Sequence, residues 1–411
     1  MKGDIMITAI DGGICSAKGF KANGTHCGIR RNRSKRDIAL VVSEVPASAA
    51  AVYTQNLVKG APLTVTKKNI ENGIARAIIC NSGNANTCNA NGIEIAEQMC
   101  GLVEKHTGIS ASDVVVASTG VIGQPLDIAP IAAGMGELAG GLSADGDKAA
   151  AEAIMTTDTR LKQVAVKFNV GGVECSIGGM AKGSGMIHPN MATMLVFVTT
   201  DAAISPEALQ CALSTDVRDS FNMVSVDGDT STNDMCVVLA NGLAGNARIE
   251  KPEGADYEEF CEALAAVTRG LCRMIAADGE GATKLLECHV SGAADKQTAR
   301  VAAKSVICST LFKAAMFGAD ANWGRVLCAI GYGGAQVDVG KIDVDFRSAA
   351  GELAVCRAGA GIEFSEETAK KVLSESEIEI LVGLNSGSES AVAWGCDLTY
   401  DYVKINGDYR T

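Results

Sequence analysis

The chain has 411 residues, of which 47% are hydrophobic, and a formal net charge of −12 at pH 7. This length and composition predict a globular enzyme with a substantial core, and they exclude a disordered chain. The acidic charge argues against nucleic acid or an anionic membrane as the main partner, because both require clustered basic surface. The expected ligands are therefore small molecules.

The predicted elements alternate between strands and helices along the chain. In the first half, β-branched runs predict strands and apolar periodicity predicts helices; the strands are at residues 38–43, 77–80 and 114–117 and the helices at 92–105 and 127–141. Beyond Thr193, we predict a strand at 194–200 and helices from Pro206, at 257–277 and at 298–317. The tail is predicted to hold strands at 336–339, 341–346, 377–383, 390–394 and 400–405, with one helix near 366–374. This order predicts a mixed α/β fold of layered sheets and helices.

The cysteines and histidines do not form a metal-binding or disulfide pattern. The fifteen cysteines contain no C-x-x-C pair, and among the four histidines only His289 has a cysteine neighbour, Cys288. We therefore expect reduced thiols, no metal and no cofactor. The N-terminal residues carry acidic groups around a very short apolar run, and no later run reaches membrane-spanning length, which predicts a cytoplasmic protein.

One hydroxyl lies where a glycine-rich segment meets a β-prone apolar run, within residues 178–201. It belongs to Thr193. If the chain were cut before this residue, Thr193 would carry a free α-amine beside its own hydroxyl. One residue would then supply both nucleophile and base.

Residues 117–123 form a second candidate segment, a small-residue turn that follows a predicted strand. Gly120 allows close backbone approach, so the turn could donate hydrogen bonds to an oxyanion. The pattern also fits a plain turn capped by Ser118 or Thr119, and the pattern alone favours that interpretation. Residues 81–92, rich in Asn and Gly, equally fit a site-lining loop or a structural turn.

Several charged residues stand in glycine-rich contexts. Lys182 precedes its glycine, so the segment fails the phosphate-binding P-loop pattern, in which the order is reversed. Charged side chains in such turns usually face solvent, and we expect the same of Asp320 and Arg325. If these residues converge on Thr193, Lys182 would either hold a carboxylate or polarise a carbonyl, and Glu280 would bind an ammonium group.

Eight segments taken together closely resemble one known family. They are residues 19–22, 81–86, 118–123, 155–159, 179–183, 191–195, 320–325 and the tail, 401–406 and 409–411. In this order they resemble the ornithine acetyltransferases of arginine biosynthesis, also called glutamate N-acetyltransferases or the ArgJ family. The resemblance covers nearly the whole chain.

The resemblance implies a precursor that cleaves itself between Ala192 and Thr193 into an α chain, 1–192, and a β chain, 193–411. It also implies ping-pong transfer of acetyl from N-acetylornithine to glutamate through an acetyl-Thr193 ester. Some members also use acetyl-CoA, and the pattern does not distinguish the two types. An assembly of two α and two β chains is implied as well.

The resemblance also assigns residues to roles. Thr119 and Gly120 match the oxyanion-hole positions. The substrate-binding positions carry over to Thr156, Lys182, Thr193, Glu280, Asn406 and Thr411. Two other functions remain open: a self-processing amidase or aminopeptidase that uses the same threonine, and a nonenzymatic binder of amino acids or nucleotides that needs no cleavage.

Overall fold

The computed structural model describes residues 7–188 and 194–407. The strands are β1 Thr8–Ile10, β2 Phe20–Thr25, β3 Ile38–Tyr53, β4 Ile74–Asn84, β5 Val114–Val121, β6 Lys162–Val170, β7 Val173–Lys182, β8 Leu195–Thr200, β9 Val224–Ser225, β10 Met235–Ala240, β11 Leu285–Ala293, β12 Asp343–Ser348, β13 Gly351–Arg357, β14 Ala360–Gly361, β15 Glu377–Gly383 and β16 Glu389–Cys396. The helices are α1 Ala61–Asn69, α2 Gly92–Thr107, α3 Ile128–Gly140, α4 Asp147–Ile154, α5 Pro206–Asp216, α6 Ala255–Ala277, α7 Lys296–Cys308, α8 Thr310–Phe317, α9 Trp323–Tyr332, α10 Glu366–Leu373 and α11 Tyr400–Gly407.

The chain divides into two compact units. Unit 1 comprises Met1–Gly183, Asn190–Arg218 and Thr230–Leu271, and unit 2 comprises Ser184–Pro189, Asp219–Asp229 and Cys272–Thr411. Each unit contains one sheet with helices packed against it. The predicted mixed α/β class is therefore confirmed.

Unit 1 is built on a sheet that has nine strands among the described residues, in the order β1-β6-β7-β8-β10-β3-β4-β5, with β2 paired to β3. Successive side chains of a strand point to opposite faces. Ala77 and Ile79 of β4 accordingly join a core with α2 and α3. Ile78 and Cys80 join a second core that includes α4. Both faces are buried, which explains why these strands form continuous apolar runs.

Unit 2 holds the second sheet, in the order β14-β13-β12-β15-β11-β16-β9. Helix α7 packs on β11 and β16, and α10 packs on β12 and β13. Strand β15 pairs in parallel with β11, whereas β12 and β13 pair antiparallel. No helix among the described residues is long and apolar enough to cross a membrane.

Most predicted elements are confirmed, but three in unit 2 are wrong. The helix predicted at 298–317 is two helices, α7 and α8, because Ser309 has an extended backbone (ψ 108°) and its hydroxyl accepts the Phe312 N–H of α8 at 3.3 Å. Residues 336–339 are not a strand. The Asp338 side chain instead caps a short 3-10 turn, Val339–Lys341.

The third error concerns residues 400–405, which were predicted as a strand and form helix α11. Strand β16, which precedes them, pairs with β11 on one edge and β9 on the other. The pairing with β9 occupies this second edge at Trp394 and Gly395, the part of β16 nearest to the following segment. Tyr400 instead packs edge-on against Phe317, with ring centroids 5.7 Å apart.

The cap at Ser309 predicts a measurable stability effect. We expect Ser309→Ala to lower the free energy of unfolding by about 1 kcal/mol, because one N–H of the first turn of α8 loses its acceptor. Ser309→Gly should cost only a few tenths of a kcal/mol, roughly, since glycine is tolerated at this position. Chemical denaturation followed by circular dichroism measures both, and equal stability of Ser309→Ala and the wild type would contradict the assigned cap.

Candidate active site

The end of β5, which carries Thr119 and Gly120, packs closely against the end of β4. Strand β5 pairs in parallel with β4, with Thr119 opposite Ser82 and Gly120 opposite Gly83. Gly120 has φ +129°, and a Cβ there would lie 2.5 Å from the Gly83 carbonyl carbon. Because any side chain at position 120 would collide with the Gly83 backbone, only glycine fits there. The Thr119 hydroxyl is half-buried and makes no hydrogen bond within residues 7–188 and 194–407.

Arg30 ties the end of β4 to the segment that carries Thr156. Its guanidinium donates hydrogen bonds to the carbonyl oxygens of Ser82 and Met155. The Ser82 hydroxyl in turn donates to the Ala153 carbonyl in α4. These contacts bring the strand opposite Thr119 and the residue before Thr156 into one region of unit 1.

A buried carboxylate, Asp158, connects Thr156 with the end of β7. Its Oδ2 accepts the Thr156 N–H at 2.9 Å. Its Oδ1 accepts the Gly183 N–H at 2.7 Å and the Lys162 ammonium, also at 2.7 Å. Burial by itself would raise the pKa of Asp158, but Lys162 and Lys182 outweigh it and hold that pKa well below the ordinary value. Asp158 is therefore ionised at neutral pH.

Lys182 is the last residue of β7, opposite Leu195, the first residue of β8. It is 8% exposed, and its ammonium group finds no hydrogen-bond acceptor among the described residues. A second buried acid nearby, Asp234, has a pKa that burial raises well above the ordinary value, although Lys182 acts in the opposite direction. Burial thus favours protonated Asp234.

The charges of this cluster do not cancel. Lys162 and Lys182 carry two positive charges, while Asp158 supplies one ionised carboxylate and burial favours the neutral form of Asp234. Among the described residues, Lys182 therefore adds a positive charge that no ionised acid of the cluster balances, and an anion beside it would be stabilised. The arrangement is therefore chemically suited to hold one carboxylate beside Lys182.

Unit 2 contains the other predicted substrate-binding residues. Glu280 is 7% exposed, and its Oε2 accepts a hydrogen bond from Asn406 Nδ2 at 2.8 Å. The Glu280 N–H donates to the Ser184 carbonyl at 3.0 Å. Gly185 lies so close that a Cβ there would approach Glu280 Oε2 to 2.3 Å. A buried carboxylate of this kind suits an ammonium ligand.

The structure groups some of the predicted site residues, and others lie outside the described part of the chain. In unit 1 the structure brings Thr156 and Lys182 together through Asp158, and it links the strand opposite Thr119 to the same region. In unit 2 it joins Glu280 with Asn406. Ala192, Thr193 and Thr411 lie outside the described residues, so their assigned roles stay predictions.

Sequence reasoning missed three residues of the unit 1 cluster: Asp158, Lys162 and Asp234. Asp158 follows Thr156 by two residues, within a segment that carries the family resemblance. Nothing in the local pattern, however, indicates that its carboxylate is buried and paired with Lys162. Only the packing of β6 and β7 shows it.

The other polar segments have structural roles. The loop after β4 adopts the demanding geometry that its composition indicates, with Asn86 at φ 50° and Cys88 at φ 60°. Asn86 Nδ2 donates to the Gly92 carbonyl at the start of α2, at 2.8 Å. Arg325 donates to the Leu311 carbonyl at 2.6 Å. No group of metal-ligating side chains is found among residues 7–188 and 194–407.

Removing the Asp158 carboxylate should be costly and pH-dependent. We expect Asp158→Asn to lower the free energy of unfolding by about 3–5 kcal/mol at pH 7, because Lys162 stays buried without its counter-charge. Since the folded-state pKa is depressed, the stabilisation is fully present above the ordinary pKa of 3.8 and is lost as pH falls further.

Denaturation of wild type and variant across this pH range measures the difference between them. Asp145→Asn, which changes an exposed carboxylate of the same unit, is the control and should stay within about 0.5 kcal/mol of the wild type. A difference between Asp158→Asn and wild type that does not shrink at acidic pH would contradict the ionised, depressed carboxylate.

Comparison with known proteins identifies the family. A model of the ArgJ family matches residues 21–411. The arginine biosynthesis bifunctional protein ArgJ of Symbiobacterium thermophilum is 54% identical over 97% of this chain and 99% of its own length. The protein of the same name from Caldanaerobacter subterraneus is 51% identical over 98% of this chain and 99% of its own.

Among solved structures, the ornithine acetyltransferase of Mycobacterium tuberculosis, complexed with ornithine, is 35% identical, covers 46% of this chain and 100% of its own, and has a TM-score of 0.41. The family resemblance seen in the sequence is confirmed by the family model and the curated relatives. The chain therefore belongs to the ArgJ family and is an acyltransferase of arginine biosynthesis.

Proposed function

We propose that this protein transfers the acetyl group of N-acetyl-L-ornithine to L-glutamate in the cytoplasm, by way of an ester on Thr193. The observation that carries the proposal is the net positive charge of the buried cluster around Lys182 in unit 1. Both substrates are amino acids with an α-carboxylate, and such a cluster suits that group. The curated relatives, named arginine biosynthesis bifunctional protein ArgJ, support a reaction on amino acids of that pathway.

The substrate-binding residues have distinct parts in this proposal. Lys182 pairs with the α-carboxylate, and Thr156, held by Asp158, adds a hydroxyl donor. Glu280, positioned by Asn406, binds an ammonium group, and Thr411 contributes at the chain end. Ornithine and glutamate share the α-carboxylate but differ in side-chain charge, so the contacts of Lys182 and Thr156 hold the shared group and leave the far end tolerant.

The nucleophile is made by self-cleavage. The Thr193 hydroxyl attacks the Ala192 carbonyl, the acyl group shifts from nitrogen to oxygen, and water hydrolyses the ester. The products are the α chain, residues 1–192, with a new carboxylate, and the β chain, 193–411, with a free α-amine. That amine titrates near about 7.7–8.0 when unperturbed, so part of it is neutral and able to act as a base.

Transfer then takes two steps. The Thr193 α-amine accepts the hydroxyl proton as the oxygen attacks the acetyl carbonyl, and it returns a proton to the departing nitrogen of ornithine. The amine of glutamate next attacks the ester, and Thr193 regains its proton. In both steps the oxyanion accepts hydrogen bonds from the Thr119 hydroxyl and the Gly120 N–H.

Two further features belong to this proposal. The relatives are called bifunctional, which supports a second activity. For that activity we propose acetyl-CoA as an additional acetyl donor to glutamate. We also propose that two α and two β chains assemble into the active enzyme. Assay with acetyl-CoA as the sole donor, and native mass measurement, test these two points separately.

Changing Thr193 should separate the roles of its hydroxyl. We expect wild-type protein to give two masses, one for a chain that begins at Thr193, and to transfer acetyl from N-acetylornithine to glutamate. Thr193→Ala should remain a single chain of 411 residues without activity, whereas Thr193→Ser keeps a hydroxyl and should retain part of both reactions. Intact mass spectrometry under denaturing conditions and a glutamate acceptor assay provide the readouts.

Contrary outcomes of this experiment point to different functions. Release of acetate to water without acetylglutamate would identify a self-processing amidase. A single uncut chain in folded wild-type protein would remove Thr193 as an N-terminal nucleophile. Near-normal transfer by uncut Thr193→Ala protein would overturn the ester mechanism.

Loss of the Thr119 hydroxyl should impair chemistry more than binding. We expect Thr119→Val to lower kcat by about 10²–10³-fold, the usual effect of removing one oxyanion donor, with KM little changed. Thr119→Ser, which keeps the hydroxyl, is the matched control and should lose much less. Steady-state kinetics measure kcat and KM of both variants. If Thr119→Val raises KM and leaves kcat unchanged, Thr119 contributes to substrate binding and not to the oxyanion hole.

A further inference from the structure

Residues 184–188, called the strap here, lie in unit 2 and lead in sequence toward the proposed cleavage bond. The strap is attached at its first residue by two hydrogen bonds. Ser184 Oγ donates to the Asp278 carbonyl at 2.7 Å, and the Ser184 carbonyl accepts the Glu280 N–H at 3.0 Å. Its backbone at Gly185 lies against the Glu280 carboxylate.

The middle of the strap is held by a single carboxylate, Asp227. Its Oδ2 accepts the Met186 N–H at 2.6 Å, and its Oδ1 accepts the Ile187 N–H at 2.9 Å. The neighbouring Val226 N–H donates to the Ile187 carbonyl at 2.7 Å. Two successive N–H groups therefore point at one side chain, which fixes both the position and the rotation of the strap backbone.

This arrangement holds an unfavourable backbone conformation. Met186 has φ 56°, in the left-handed region that residues other than glycine seldom adopt. Such a conformation persists only where surrounding contacts impose it. The Met186 side chain is 42% exposed, so the Asp227 hydrogen bonds, not packing of that side chain, hold the turn.

The last residue of the strap is attached as well. His188 Nδ1 lies 3.1 Å from Ser225 Oγ and 3.6 Å from Cys308 Sγ. Burial, with the positive charge of Lys304, lowers the pKa of His188 to about 4. At neutral pH the ring is therefore uncharged, and the strap ends in a neutral hydrogen bond.

We propose that Asp227 is a positioning residue for both reactions of this protein. By setting the strap, it directs the chain that enters the Ala192–Thr193 bond and keeps Gly185 against the Glu280 carboxylate. Asp227 touches neither the substrate nor the reacting atoms in this inference. The inference rests on the proposed function, because it concerns self-cleavage and the binding role of Glu280.

The surrounding groups agree with this assignment. Asp227 also accepts the Asp229 N–H, at 3.2 Å, so its carboxylate faces three backbone donors. Burial, followed by the charges of Asp227, Glu280 and Asp229, raises the pKa of the Tyr402 phenol in α11, the helix that carries Asn406.

Asp227→Asn tests the proposal, because it keeps the size of the side chain but replaces one acceptor with a donor that faces an N–H. We expect self-cleavage to slow by about tenfold or more, as expected when hydrogen bonds to a charged acceptor are lost. In whatever mature protein forms, KM should rise while kcat stays within about twofold. Pulse–chase synthesis in a cell-free system measures cleavage, and steady-state assays measure the KM and kcat of the mature enzyme.

Asp229→Asn is the matched control, since it removes the same charge two residues away at an exposed side chain. It should cleave and bind like the wild type. Asp227→Glu keeps both carboxylate oxygens but shifts their position, so it should cleave at an intermediate rate. If Asp227→Asn fails to fold, the cleavage rate of Asp227→Glu tests the proposal instead. Thermal unfolding of each variant shows whether an effect on cleavage merely follows lost stability.

The outcomes are distinct. Wild-type rates in folded Asp227→Asn, or in Asp227→Glu if the first variant does not fold, would overturn the proposal. Equal slowing of self-cleavage by Asp227→Asn and Asp229→Asn would also overturn the proposal, because the loss of any nearby negative charge would then explain the effect. If the wild type itself stays uncut, the proposed function fails and this inference fails with it.

Discussion

The charge balance around the buried Asp158 carboxylate is the constraint on which the candidate site of unit 1 depends. A buried carboxylate is tolerated only when charges and N–H donors compensate it. Here Lys162 and the N–H groups of Thr156 and Gly183 do so, and they thereby lock two separate segments together. Lys182 adds a second positive charge that lowers the pKa of the same carboxylate.

Unit 2 uses carboxylates in a related way. Asp227 accepts successive N–H groups of residues 184–188, and Glu280 both anchors that segment through its N–H and accepts from Asn406. In each unit a carboxylate organises backbone that has no regular secondary structure to organise it. Such irregular backbone needs this support because its polar groups lack the partners that a helix or sheet supplies.

The strengths and failures of sequence-based prediction have clear physical causes. Strands β4 and β5 were predictable because both of their faces are buried and their apolar runs are continuous. The helix break at Ser309 was missed because apolar periodicity runs through it, although a serine that caps the next turn offered a local signal. Residues 400–405 have a strand-like pattern, yet they form a helix, and β9 already pairs with the end of β16 nearest to them.

The sequence by itself determined the family, through eight short segments in a fixed order, and the mixed α/β class, through local periodicity. Through the family resemblance it also pointed to Thr119, Gly120, Thr156, Lys182 and Glu280, whose roles stay predictions. Only the tertiary structure decided that Asp158 is buried beside Lys162 and that Asp227 holds residues 184–188. Burial, charge pairing and strand-edge availability arise from contacts between distant segments, and no local pattern of residues encodes them.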